Sequence, residues 1–147
     1  MKKRHLAAIA LFGLLCVAAP ALAHHSFTAE FDASRLVAVK GVLTKVEWTN
    51  PHAWFYVDVK DENGTVVNWA FETVSPNHVH HQYPDARKDL DANIGKAVSV
   101  VGCPAKANPH AGSARSLMLA SGKVMTVGLE GTYTGSENAD QLLRTAK

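Results

Sequence analysis

The sequence predicts an all-β domain with one short helix, and three patterns lead to that prediction. Residues 54–60 alternate strictly, with Phe55 and Val57 on one face and Trp54 and Tyr56 on the other, as in a strand that buries one face. A turn sequence and a second alternating stretch follow at once, which is typical of a hairpin. Further β-branched stretches occur on both sides of this hairpin, so strands dominate the prediction.

The first strand is predicted over the valine-rich stretch 37–46, where Gly41 indicates a bulge or a sharp bend. Asn63 and Gly64 predict the hairpin turn, because both residues tolerate positive φ. The return strand is expected over residues 65–73.

A helical break is predicted after the third strand. Ser75 and Pro76 are suited to the N-cap and first position of a short helix, and Pro84 argues against one continuous helix up to about Asn93. Later strands are expected over residues 97–102, 113–120 and 123–127. Five or six strands with this break indicate a small barrel like the oligonucleotide/oligosaccharide-binding (OB) barrel. A β-sandwich is the alternative.

The N-terminus has the pattern of a secretory signal peptide over residues 1–23. Three basic residues precede an apolar run at 6–19, and Ala-Leu-Ala at 21–23 forms the cleavage site. The apolar run has 14 residues, which is short for a membrane span of about 20. We therefore expect cleavage after Ala23, a periplasmic protein with no stable membrane span, a barrel domain with an N-terminal arm at 24–128, and a flexible tail at 129–147.

Cleavage changes the charge and the cysteine count. It removes three of the 15 basic residues and none of the 13 acidic ones, which leaves a formal charge of −1. This balance does not favour nucleic-acid binding, which needs a basic face. Cys103 is the only cysteine after the predicted cleavage site. It therefore has no disulfide partner within the mature chain; a buried, inert thiol and a reactive or metal-binding thiol are the two interpretations.

Four stretches carry a family resemblance. They are His-His-Ser-Phe at 24–27, Glu-Trp-Thr-Asn-Pro-His-Ala-Trp at 47–54, Trp-Ala-Phe-Glu at 69–72 and Ser-Pro-Asn at 75–77. Together they resemble an uncharacterised family of small exported bacterial proteins, a domain of unknown function. The resemblance implies export and a compact β domain, and it implies no activity, catalytic residue or cofactor. The chain departs from the family pattern after residue 77, where several histidines follow.

The main candidate metal ligands are His24, His25 and His52. If cleavage makes His24 the first residue, its α-amine (pKa ~7.7–8.0) and imidazole (pKa ~6.5) both supply neutral nitrogen near pH 7. Cu(II) prefers such nitrogen sites. His52, which follows Pro51, is the predicted third ligand. The alternatives are solvated histidines at the terminus and a structural imidazole at position 52.

A weaker candidate site is the cluster His78, His80 and His81. Two of the three share a face on either a strand or a helix, and such a pair can bind Zn²⁺ or Cu²⁺. No nearby cysteine or acidic ligand completes a tetrahedral pattern. A solvated loop is the alternative interpretation.

Trp54 and Tyr56 form a candidate ligand-binding surface, because they share the face opposite Phe55. An exposed pair of this kind can stack on sugars or peptides. The alternative is that both rings pack under the N-terminal arm or under residues 75–93.

The sequence contains no motif for a nucleophile, a phosphate loop or a zinc protease, and Glu47, Asp58 and Glu72 have no spacing that indicates a glycosidase pair. We therefore expect a protein that is not an enzyme. The leading hypothesis is a periplasmic binding protein that holds a copper-like ion, Cu(II), through its N-terminal histidines. The alternative is a metal-free interaction module that binds an envelope protein or glycan through its exposed aromatics.

Overall fold

The computed structural model describes residues 27–129 and 131–146. The predicted signal peptide, with His24 and His25 after it, lies outside these residues. The described part contains six strands and four short helices. In chain order they are α1 (Phe27–Glu30), β1 (Val37–Glu47), β2 (Trp54–Lys60), β3 (Val66–Glu72), α2 (Pro76–Gln82), α3 (Ala86–Asp91), β4 (Ala97–Pro104), β5 (Ala111–Met118), β6 (Val124–Thr126) and α4 (Ala139–Thr145).

Five of the strands form a closed barrel. Their order is β3-β2-β1-β4-β5, and a parallel pairing of β3 with β5 closes the ring. The other pairings are antiparallel, and β6 adds to β5 as an extra strand. Helices α2 and α3 lie between β3 and β4 in the chain. The predicted OB-like barrel is therefore confirmed, and the sandwich alternative is not adopted.

The strand alternation places the core inside the barrel. In β2, Phe55 and Val57 are fully buried, whereas Trp54 and Tyr56 are partly exposed. Phe71 of β3 joins the same cluster, and so do Leu43 and Leu117. Burying a side chain of this size contributes roughly 1.5–3 kcal/mol, so these residues account for much of the stabilisation.

The segment after β3 folds as two helices that cover the core. The Ser75 hydroxyl accepts a hydrogen bond from the backbone N–H of His78 at 3.3 Å, as an N-cap does. Helix α2 ends before Pro84, and α3 starts at Ala86. Val79 and Leu90, one from each helix, are fully buried in the core cluster.

Gly41 has a different role from the one predicted. The irregularity in the pairing of β1 with β2 lies between Leu43 and Lys45, not at Gly41. At Gly41 the two strands approach so closely that an added Cβ would overlap the carbonyl oxygen of Asp58. The glycine is therefore required by close backbone packing between strands.

The C-terminal segment is packed, which differs from the flexible tail that we expected. Helix α4 packs against β4 and β5, and Leu143 is only 1% exposed. The Asn138 side chain caps the helix by accepting from the Gln141 N–H at 3.0 Å. Before the helix, the Glu137 carboxylate accepts from the backbone N–H of Leu36 at 2.7 Å. The segment begins with many Gly and Thr residues, which is why the sequence did not indicate this capped helix.

None of the helices found in residues 27–129 and 131–146 is long and apolar enough to cross a membrane.

Replacing Gly41 by Ala is expected to lower the free energy of unfolding by about 1–3 kcal/mol, the usual cost of forcing extra atoms into close packing. Urea unfolding followed by tryptophan fluorescence measures the change. Lys40→Ala is the control, because Lys40 is the exposed neighbour in the same strand. Equal effects of the two substitutions would contradict the close-approach explanation.

Candidate functional site

The clearest pair of functional groups is His52 and Glu72. Glu72 is the last residue of β3 and pairs with Trp54 of β2 on one side and with Ser113 of β5 on the other. His52 lies two residues before Trp54, and its Nδ1 directly contacts Oε1 of Glu72. The Glu72 side chain is 13% exposed and the His52 side chain 47%. A largely but not fully buried carboxylate thus contacts a half-exposed imidazole.

This contact determines which nitrogen of His52 is available. An ionised carboxylate can only accept a hydrogen bond, so Nδ1 carries the proton and its N–H donates a hydrogen bond to Glu72. In the neutral ring, the lone pair then remains on Nε2. The turn itself is held by Thr49, whose hydroxyl donates to the His52 carbonyl at 3.1 Å. The Asn50–Pro51 peptide bond in this turn is cis.

Burial determines the electrostatics of Glu72. Removal from water raises the pKa of its carboxyl group above the ordinary 4.5, because the charged form loses solvation. The positive potential of His52 acts in the opposite direction, and the carboxylate of Glu30, in helix α1, raises the pKa further. Burial and the nearby Glu30 carboxylate therefore both destabilise the ionised form of Glu72.

Two cavities meet at Glu72. The smaller, of about 70 Å³, is lined by His52, Glu72 and Phe27 among others, and we call it the His52 cavity. The larger, of about 290 Å³, is lined by Trp54 together with Glu72 and small residues of β5 and the loop before it, and we call it the Trp54 cavity. Phe31 also borders both. The carboxylate of Glu72 thus belongs to the walls of two adjoining spaces.

The predicted metal ligands are placed very differently. His24 and His25 lie outside the described residues, but Phe27, which follows them closely in the chain, is in the wall of the His52 cavity. His78, His80 and His81 are all exposed on helix α2. Within the described ranges, no group of three or more His, Cys, Asp or Glu side chains is arranged to hold a metal ion.

The two aromatic residues predicted to bind a ligand have separate surroundings. Trp54 lines the Trp54 cavity beside helix α1. The Tyr56 hydroxyl donates to the Glu47 carboxylate at 2.8 Å, and the Lys45 ammonium lies 5.1 Å from the Tyr56 ring centroid. The hydrogen bond to Glu47 raises the pKa of the Tyr56 hydroxyl. Trp54 is therefore the ring that borders open space, and Tyr56 is engaged by its neighbours.

The sequence did not predict that Glu72 is the partner of His52. The hairpin pattern gives only an approximate register. A two-residue turn at 63–64 would place Thr73 opposite Trp54, whereas the structure places Glu72 there, one position away. That register places the carboxylate beside the turn that carries His52.

Cys103 is the next-to-last residue of β4 and lines neither the His52 cavity nor the Trp54 cavity. It is 2% exposed, and burial raises the pKa of its thiol. Since the thiolate is the reactive form, this environment favours the inert interpretation of Cys103.

Replacing Glu72 by Gln is expected to change the pH dependence of stability. Because the folded pKa of Glu72 lies above 4.5, the folded state keeps a proton that the unfolded chain has lost, and wild-type stability falls as pH rises through that window. The Gln side chain does not titrate. The unfolding free energy of Glu72→Gln minus that of the wild type should therefore increase as pH rises from 4.5 and level off above the folded pKa.

Urea unfolding of the wild type and Glu72→Gln across that pH range measures this difference. Glu62→Gln is the control, because Glu62 lies in the exposed hairpin turn. A difference that stays constant with pH for Glu72→Gln would contradict the assignment.

Cys103 should resist thiol reagents in the folded protein. In a chain with Cys16→Ser, the rate of labelling at neutral pH should be at least about 100-fold slower than in the unfolded chain, because labelling needs opening of the barrel. Rapid labelling of the folded chain, at the rate of the unfolded chain, would show that the thiol is accessible.

The comparisons with known proteins identify a family but no activity. A family model described as a family of unknown function, DUF6152, matches residues 10–116. No curated protein and no solved structure matches the chain. The matched range includes His52, Glu72 and all five barrel strands except the last two residues of β5. The chain therefore belongs to the family of unknown function DUF6152.

Proposed function

We propose that this protein is an exported periplasmic metal-binding protein, which holds a Cu(II)-like ion through His52 and the mature N-terminal residues His24 and His25. The observation that carries the proposal is the contact between Nδ1 of His52 and the partly buried carboxylate of Glu72. We assign His52 as a ligand and Glu72 as the group that orients it.

The first step of the argument is the chemistry of the pair. Histidines that bind metals commonly donate their second ring N–H to a carboxylate, which fixes the tautomer and makes the free nitrogen more basic. Glu72 satisfies that requirement for His52. Nε2 then carries the lone pair, and the 47% exposed ring leaves it open to an incoming ion.

The second step is the position of the chain start. Phe27 lines the His52 cavity, and His25 and His24 precede it by two and three positions. A chain spans at most about 3.3–3.6 Å per residue, so both histidines are within about 11 Å of the Phe27 backbone. Since Phe27 and His52 line the same small cavity, this chain length supports a contact with His52.

The third step concerns which ion suits these donors. Cleavage after Ala23 would give His24 a free α-amine, with a pKa of ~7.7–8.0. That amine and the three imidazoles form an all-nitrogen set, which favours Cu(II) among the divalent ions. Since the described residues provide no complete ligand group by themselves, binding should depend on the mature N-terminus. A partly exposed ion of this kind fits a role in buffering or delivery.

A second candidate function rests on the Trp54 cavity. Its volume is about 290 Å³, and Trp54, Phe31 and several alanines line it. An indole beside a mostly apolar hollow suits stacking against a sugar or a peptide side chain. In this case the protein would be a metal-free envelope module for a protein or glycan. Metal binding should weaken as pH falls through the imidazole range, because protons compete for the ligands, whereas this binding should not.

The metal proposal predicts distinct effects of three changes on Cu(II) affinity. In the chain that begins at His24, Glu72→Gln should weaken binding about 10- to 100-fold, as loss of an orienting carboxylate does. His52→Ala should weaken it by at least as much, because a ligand is removed. One alanine placed before His24 should also weaken it, because the free amine moves. Competition titration against a chelator of known affinity measures each change.

His110→Ala is the matched control, since it also removes one exposed imidazole. The proposal fails if this control has the same effect as His52→Ala, or if the N-terminal extension leaves the affinity unchanged. Binding of an envelope glycan that is lost in Trp54→Ala but not in His52→Ala would favour the second candidate.

A further inference from the structure

A third cavity lies apart from the His52–Glu72 site. Its volume is about 200 Å³, and we call it the Arg87 cavity. It forms where the end of β1 meets helices α2 and α3. Its lining residues are Trp48, Pro76, Asn77, His80, Ala86 and Arg87. None of them lines the His52 cavity or the Trp54 cavity.

The Arg87 guanidinium is held in this cavity but has no acidic partner. Its Cζ lies 5.0 Å from the ring centroid of Trp48, a cation–π contact that leaves the in-plane N–H groups free. Among residues 27–129 and 131–146 it makes no ion pair and no side-chain hydrogen bond. Asp89, two positions further on, is paired with Lys123 at 2.6 Å. The cation is therefore positioned and unneutralised.

The other polar groups around the cavity have no hydrogen-bond partner within the described part of the chain. Nε1 of Trp48 is buried and has no hydrogen-bond partner in the described part of the chain, which is a costly state for a donor. The side chains of Asn77 and His80 likewise make no hydrogen bond within the described ranges. None of the six lining residues is acidic. The wall thus presents exposed donors on Asn77 and His80 beside Arg87 and contains no carboxylate.

We propose that the Arg87 cavity binds a small molecule through an oxyanion group, either a carboxylate or a phosphate. The planar guanidinium of Arg87 matches both groups with two parallel N–H donors. Asn77 and His80 supply further donors, and the Trp48 indole holds the Arg87 guanidinium in the cavity wall. A volume of about 200 Å³ is below that of drug-sized sites, which indicates a small organic acid or phosphate monoester. This site is independent of the proposed metal function.

The test is a titration of the purified protein with two probes, inorganic phosphate and succinate. The Trp48 indole N–H resonance in ¹H–¹⁵N NMR spectra reports binding, because the Trp48 side chain lines the cavity and contacts Arg87. We expect a saturable shift with a Kd of about 1 mM or tighter for at least one probe. A shift with phosphate alone, with succinate alone or with both identifies the class of ligand.

Two single-charge variants separate recognition from general electrostatics. Arg87→Gln should weaken binding at least about 10-fold, because the bidentate donor is lost. Lys88→Gln makes the same change of charge at the adjacent exposed position and should leave Kd within about twofold. Arg87→Lys keeps the charge but not the two-donor geometry, so it should also weaken binding.

Trp48→Ala tests the indole that holds Arg87, because it removes the cation–π contact and keeps the charge. Intrinsic fluorescence of the remaining tryptophans and the urea midpoint confirm that each variant is folded, and equilibrium dialysis measures its affinity. We expect Trp48→Ala to weaken binding of the better probe about 3- to 10-fold, because the guanidinium is no longer held in place. The proposal is overturned if neither probe shifts the Trp48 resonance below about 10 mM, or if Arg87→Gln and Lys88→Gln weaken binding equally.

Discussion

The parallel pairing of β3 with β5 is the contact on which the rest of the structure depends. It consists of only three residue pairs, Ala70 with Ala111, Phe71 with Gly112, and Glu72 with Ser113. Without it the five strands would form an open sheet with two unpaired edges. Small residues allow the approach, since a Cβ on Gly112 would lie 3.2 Å from the Phe71 ring and 2.8 Å from the Cys103 carbonyl oxygen. Closure therefore fixes both the core and the surroundings of the last residue of β3.

That last residue is Glu72, so the same contact creates the candidate site. With β2 on one side and β5 on the other, its carboxylate is taken out of water, and its pKa rises. The turn before β2 brings His52 against it, and helix α1 places Phe27 in the same cavity wall. The Arg87 cavity arises from a different feature, the break between α2 and α3 beside Trp48. Barrel closure thus produces a site centred on the Glu72 carboxylate. The break between the two helices produces a separate site centred on the Arg87 cation.

The elements that the sequence predicted well are those governed by local patterns. The alternation in β2, the turn at Gly64 with its φ of 85° and the cap at Ser75 each depend on neighbouring residues. The barrel type followed from the order of these elements. The partner of His52 was not predicted, because it depends on the register between strands and on closure. The role of Gly41 and the packing of α4 were missed for the same reason: both depend on strands distant in the chain. The signal peptide, export and copper binding stay predictions.

The most direct test of the account is the protonation state of the His52 imidazole in the metal-free protein. Long-range ¹H–¹⁵N NMR, at a pH where this ring is neutral, distinguishes the two tautomers. The account predicts a proton on Nδ1 and a lone pair on Nε2, because the Glu72 carboxylate accepts from Nδ1. Substoichiometric Cu(II) should then broaden the His52 resonances before those of His110. A proton on Nε2, or equal broadening of the two histidines, would contradict the assignment of His52 as an oriented metal ligand.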